Sequence, residues 1–96
     1  MIEFSVQGSV CQVSGMLEQH DVVSLWPARQ ELFPDEVDTL VLSGLSYSDS
    51  AGIAFLLALW RQRLTYGRPL QLIQPSEQLS RLVELYDLQA CFNLQA

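Results

Sequence analysis

The strongest chemical signal in this chain is a run of hydroxyl groups around one carboxylate. Ser43, Ser46, Ser48 and Ser50 flank Asp49. Serine in such a setting is a nucleophile, a helix cap or an acceptor of phosphate, according to its neighbours. As a nucleophile the stretch falls short, because Gly44-Leu45-Ser46-Tyr47-Ser48 lacks the final glycine of the G-x-S-x-G elbow. A triad also needs a base, and His20 is the only histidine. The same shortage excludes a multi-histidine metal site. Asp35, Glu36 and Asp38 lack calcium-loop spacing and read as a solvated turn. Cys11 and Cys91 stand 80 positions apart without C-x-x-C spacing, and read as reduced, buried thiols. All five basic residues are arginines (Arg29, Arg61, Arg63, Arg68 and Arg81), so neither a Schiff-base lysine nor a Walker-A lysine is present. The expectation is a protein that is not an enzyme and needs no cofactor and no metal.

Length and charge narrow the class further. Ninety-six residues fit one domain, spanning 1–96. The formal net charge of −6 is the wrong sign for nucleic-acid binding, which needs a basic footprint. The longest apolar run, Ile53 to Trp60, is eight residues, whereas a membrane span needs about 20. Met1-Ile2-Glu3-Phe4 lacks the basic start of a signal peptide, which predicts a cytoplasmic location.

The elements that position the serine run follow from periodicity. Ile2, Phe4 and Val6 alternate with polar residues, the period of a half-buried strand. Gln7-Gly8-Ser9 reads as a turn, and residues 9–14 as the hairpin partner. A helix is expected over about 25–33, with Ser24 as N-cap, so that Pro27 falls in its first turn. Val22, Leu25, Leu32 and Phe33 supply the apolar face of this region. Leu40-Val41-Leu42 reads as a strand buried on both faces, followed by a serine-rich loop through Ser50. The strongest helix runs from about Ala51 to Tyr66, with Asp49 or Ser50 as cap and Gly67 at the left-handed position beyond its end. Arg61, Arg63 and Arg68 form the one basic cluster. It suits the helix C-terminus, or else a contact with an acidic partner or lipid headgroups. Leu70 to Ile73 make a strand, and Pro75-Ser76 open a last helix with Leu79, Leu82, Val83 and Tyr86 on one side. In the tail, Phe92 and Leu94 dock on the core or form a short edge strand. The order β-β-α-β-α-β-α implies an α/β domain: a mixed four- to five-stranded sheet with parallel βαβ crossovers and helices packed over it.

The helix after Ser50 is apolar nearly all round. With Ile53 at zero and about 100° per residue, Leu56, Leu57, Trp60 and Leu64 fall within about 60° of it and form a core-facing stripe. Phe55 and Leu59 then lie near about 200° and 240°, on the opposite side. Either a neighbouring helix or the tail covers them, or they form an exposed apolar strip for a partner. Such a strip could also pair isolated copies into a homodimer. At the head of the helix, free backbone N–H groups favour a phosphate on Ser50, although Asp49 opposes its charge.

Asp49-Ser50-Ala51-Gly52, after a strand and opening an apolar helix, resembles the signature loop of the STAS family, which includes the anti-sigma-factor antagonists. The element order resembles that family over essentially the whole chain. Within it, Asp49-Ser50-Ala51-Gly52-Ile53-Ala54-Phe55-Leu56-Leu57 and Leu85-Tyr86-Asp87-Leu88 look most like the MlaB-type STAS subunits of Mla phospholipid-transport ABC complexes. That resemblance implies a non-enzymatic subunit that binds the cytoplasmic ATPase of such a complex, and so sits at the inner membrane only through its partner. The expected partner surface is Asp49, Ser50, Ala51, Gly52, Phe55 and Leu59. The antagonists imply the alternative: an anti-sigma factor kinase as partner, with phosphorylation of Ser50 breaking the complex. Ala51 stands where the antagonists often carry a second hydroxyl.

Overall fold

A computed structural model of the chain describes residues 2–93, so the expected docking of Leu94 lies outside the described residues. Strands β1 (Ile2–Gln7) and β2 (Val10–Leu17) pair antiparallel around the expected turn. β2 then pairs parallel with β3 (Thr39–Ser48), β3 with β4 (Gln71–Ile73), and β4 with β5 (Phe92–Asn93). The five strands lie in the order β1-β2-β3-β4-β5, a mixed sheet with parallel crossovers as expected. The tail does form the short edge strand.

Register explains where the core sits. Cys11, Leu40, Leu72 and Phe92 line up across four strands and are all at most 3% exposed. Their neighbours in the next row, Gln12 and Val41, are exposed and half-buried. The helices therefore seal one face of the sheet only, because side chains alternate along each strand. Leu40 and Leu42 are fully buried as expected, whereas Val41 faces the open side.

Two boundaries differ from expectation. The serine-rich stretch is not a loop until Asp49, because β3 continues to Ser48. Leu45 and Ser48 point inward and are fully buried, while Ser43 and Ser46 take the solvent side. β3 carries one extra residue between Val41 and Gly44, opposite Gln12 to Ser14, and another between Leu45 and Tyr47, opposite Gly15 to Met16, and these bulges shift which of its side chains face the core. The first helix also starts earlier than Ser24: α1 spans Gln19–Leu25, and the Asp21 carboxylate accepts the Glu18 N–H at 2.9 Å across its first turn. Pro27 does sit in a first turn, that of a separate 3-10 segment over Trp26–Glu31. The apolar face named for this region packs on the core, with Phe33 reaching Phe4 at a ring separation of 6.5 Å.

Helix α2 (Ser50–Thr65) ends as expected, with Gly67 left-handed at φ 76°. α3 (Glu77–Leu85) is capped by the Ser76 hydroxyl, which accepts the Leu79 N–H. One charged residue escapes its expected place. Arg63 does not complement the helix end from solvent; it is 7% exposed and donates to the Asp35 carbonyl at 3.0 Å and to the Val37 carbonyl. Its guanidinium also lies 5.7 Å from the centre of the Phe33 ring. Arg63 thus fastens the approach to β3 onto α2. Arg63→Ala is expected to lose about 2–3 kcal/mol, because it orphans a buried carbonyl and removes packing. Urea unfolding checks this.

Candidate functional site

The site is built from the C-terminal end of β3 and the first turns of α2. Asp49 is extended and caps α2, its Oδ1 accepting the Gly52 N–H at 2.9 Å. Its Oδ2 accepts the N–H of Gln19, the first residue of α1, also at 2.9 Å. One carboxylate therefore ties the starts of two helices together, satisfying donors that helices leave unpaired. Behind it, the Gln78 amide pairs with both backbone groups of Ser48, its Oε1 accepting the N–H at 2.9 Å and its Nε2 donating to the carbonyl at 2.8 Å. This brings α3 against the end of β3. The Ser48 hydroxyl donates to the Asp49 carbonyl at 3.0 Å.

These contacts separate the expected site residues into two groups. Ser50 is exposed and Ala51 half-buried at the head of α2, where a partner can reach them. Asp49 has both oxygens occupied by backbone donors, and so shapes the loop. Gly52 is buried against Leu17 and Ser48 and supplies close approach instead of a surface. Asp49→Ala is expected to cost about 2–3 kcal/mol, since it removes a cap and a second charge-assisted hydrogen bond. Asp49→Asn, which retains one carbonyl oxygen, should recover part of that. Denaturant midpoints of the two variants check it.

Phe55 and Leu59 do not form a surface strip. They are 1% and 3% exposed, and the Trp26 ring packs edge-on to Phe55 at 6.1 Å. The core side of α2 is Gly52, Ile53, Phe55, Leu56, Leu59 and Arg63. Its centre lies near about 260° on the scale that sets Ile53 at zero, roughly 100° away from the expected stripe. The outward side carries Ser50, Ala54, Leu57, Ala58 and Arg61, with Leu64 50% exposed. Apolar residues outnumber polar ones on both sides, so hydrophobicity alone misplaces the rotation. The available signal was Gly52, the residue that allows the helix backbone to touch the sheet. The partner-facing candidates that hydropathy missed are Ala54, Leu57 and Ala58.

Other chemical groups resolve into structural roles. Asp35, Glu36 and Asp38 are exposed, as a solvated turn requires. Cys11 is fully buried, and desolvation pushes its thiol above the usual range. Cys91 is half-buried and is not in a disulfide.

Over residues 1–95 the chain matches the family model described as Mlab, STAS domain. No curated protein matches it at the sequence level. Among solved structures it is similar to the anti-sigma factor antagonist SpoIIAA in its unphosphorylated form, with a TM-score of 0.70 and 18% identity, covering 96% of this chain and 85% of that one. It is also similar to the phosphorylated form of SpoIIAA, described as a Bacillus cell fate determinant, with a TM-score of 0.64 and 19% identity, covering 96% of this chain and 88% of that one.

Proposed function

The chain belongs to the STAS domain family, and from that premise we propose that it binds the cytoplasmic ATPase subunit of a phospholipid-transporting ABC complex and stabilises or activates it. Domains of this family are regulatory and interaction modules. The observation that carries the reading is the outward side of α2. An exposed hydroxyl at the helix head is followed, one and two turns on, by Ala54, Leu57 and Ala58. Small residues allow close approach, Leu57 offers apolar area, and Ser50 offers one compact hydrogen bond. The Mlab description of the matching model supports the choice of partner. Among the described residues no helix is long and apolar enough to cross a membrane, so attachment to the inner membrane would run through the ATPase.

Ser50→Glu is expected to abolish co-purification with the ATPase subunit while leaving the urea midpoint unchanged. A glutamate there adds bulk and a charge beside Asp49 at the centre of the contact. Retained co-purification would remove Ser50 from the interface.

A second reading, an antagonist switched by phosphorylation of Ser50, rests on the likeness to SpoIIAA in its two forms and on the exposure of Ser50. The local electrostatics favour the first reading. A phosphate on Ser50 would meet the Asp49 carboxylate, which already holds the Gly52 and Gln19 N–H groups. Phosphopeptide mass spectrometry of the protein from growing and stressed cells separates the two: only the second expects phosphoserine at position 50.

A further inference from the structure

We propose that the outward side of α2 and the 3-10 segment form a groove for an acidic amphipathic segment of a protein partner, with Arg29 and Arg61 gripping its carboxylates. This rests on the partner-binding reading above and specifies the chemistry of what docks. The groove measures about 810 Å³, and Trp26, Leu57, Trp60 and Tyr66 supply apolar wall. It is continuous with the head of α2, because Ala54, one turn after Ser50, lines it.

Charge decides the occupant. The chain as a whole carries −6, yet among the described residues two of the five arginines line this groove and no aspartate or glutamate does. Neither arginine has an ion pair among the described residues, where the pairs found are His20–Asp21 and Arg81–Glu77. Arg29 is already placed: its guanidinium lies 4.0 Å from the centre of the Trp26 ring and donates to the Trp26 carbonyl at 2.7 Å. Arg61 stands exposed on α2. Two cations on different elements call for two anionic groups joined by an apolar body. A peptide with carboxylates flanking apolar side chains meets that demand, whereas a single fatty acid offers one anion. The arginines then act as orienting rim charges and the aromatic wall supplies burial.

The test uses the intact chain and two fluorescent 18-residue helical peptides. Each carries leucines on one face, flanked in one by glutamates and in the other by lysines. The glutamate peptide is expected to bind at least tenfold more tightly than the lysine peptide, and more weakly as salt rises. Arg61→Gln and Arg29→Gln should each reduce its affinity about tenfold, which corresponds to about 1.4 kcal/mol. Among the described residues Arg61 makes no side-chain ion pair, so its variant keeps the test valid if Arg29→Gln fails to fold. Equal binding of both peptides, or no effect of Arg61→Gln, overturns the proposal. Arginine-dependent binding of phosphatidylglycerol vesicles without peptide binding also overturns it, and makes the occupant a membrane surface. Failure of the purified ATPase subunit to bind, with peptide binding intact, overturns the ATPase as partner and leaves the groove standing.

Discussion

Gly52→Ala is expected to destabilise the domain by about 3 kcal/mol or more. A Cβ at position 52 would overlap the Leu17 carbonyl oxygen and the Ser48 hydroxyl, and would stand 3.0 Å from Leu17 Cγ. A flexible side chain could swing away, but the carbonyl belongs to β2 and cannot. Relief therefore requires α2 to lift from the sheet, which loosens Ile53, Leu56 and Leu59 together. Overpacking a close-packed core typically costs about 1–3 kcal/mol, and a backbone obstacle places this site at the upper end. A domain of this size has about 5–15 kcal/mol in total. At about 4–8 °C per kcal/mol, the melting temperature should fall by more than 10 °C. Ala54→Ser, on the outward side of the same helix, should leave it nearly unchanged. Calorimetry of the two variants reads both results.

The second large effect separates surface from core on α2. Leu57→Asp is expected to leave the domain folded, at a cost of about 1 kcal/mol, because Leu57 is only partly buried. It should weaken binding to the ATPase subunit about 30-fold or more, since a carboxylate replaces apolar contact near the centre of the proposed interface. Phe55→Asp should lose binding by another route, through unfolding. Removing a buried phenylalanine costs about 3–5 kcal/mol, and burying an unpaired carboxylate adds more. Circular dichroism beside a pull-down distinguishes the two: Leu57→Asp keeps its helical signal and loses the partner, whereas Phe55→Asp loses both. A Leu57→Asp variant that still binds would move the interface off this side of α2.

Much of this architecture was legible in the chain, for reasons that residues make plain. Alternation at Ile2, Phe4 and Val6, the Asp49 cap and the Gly67 stop each act locally, and local chemistry sets those elements. The STAS loop was legible because four adjacent residues, Asp49 to Gly52, stand at a strand-to-helix junction. What was hidden depended on distant contacts. β3 runs on through its serines because Leu45 finds the core and Ser48 is held by Gln78, which lies 30 positions later. Asp49 could be read as the cap of α2, but its second bond to Gln19 required the fold. The rotation of α2 was misplaced because leucines and alanines occupy all its sides, and Arg63 was misplaced because a cation at a helix end ordinarily faces water. Its partners, the carbonyls of Asp35 and Val37, carry no side-chain signal.

The proposed role of this domain is to bind an ABC transporter ATPase through the outward side of α2. Isothermal titration of the purified chain into the purified ATPase subunit tests it most directly. Saturable binding with a fixed stoichiometry, lost in Ser50→Glu, is the expected result. No heat of binding with the wild-type chain, under conditions where both proteins are folded, would contradict it.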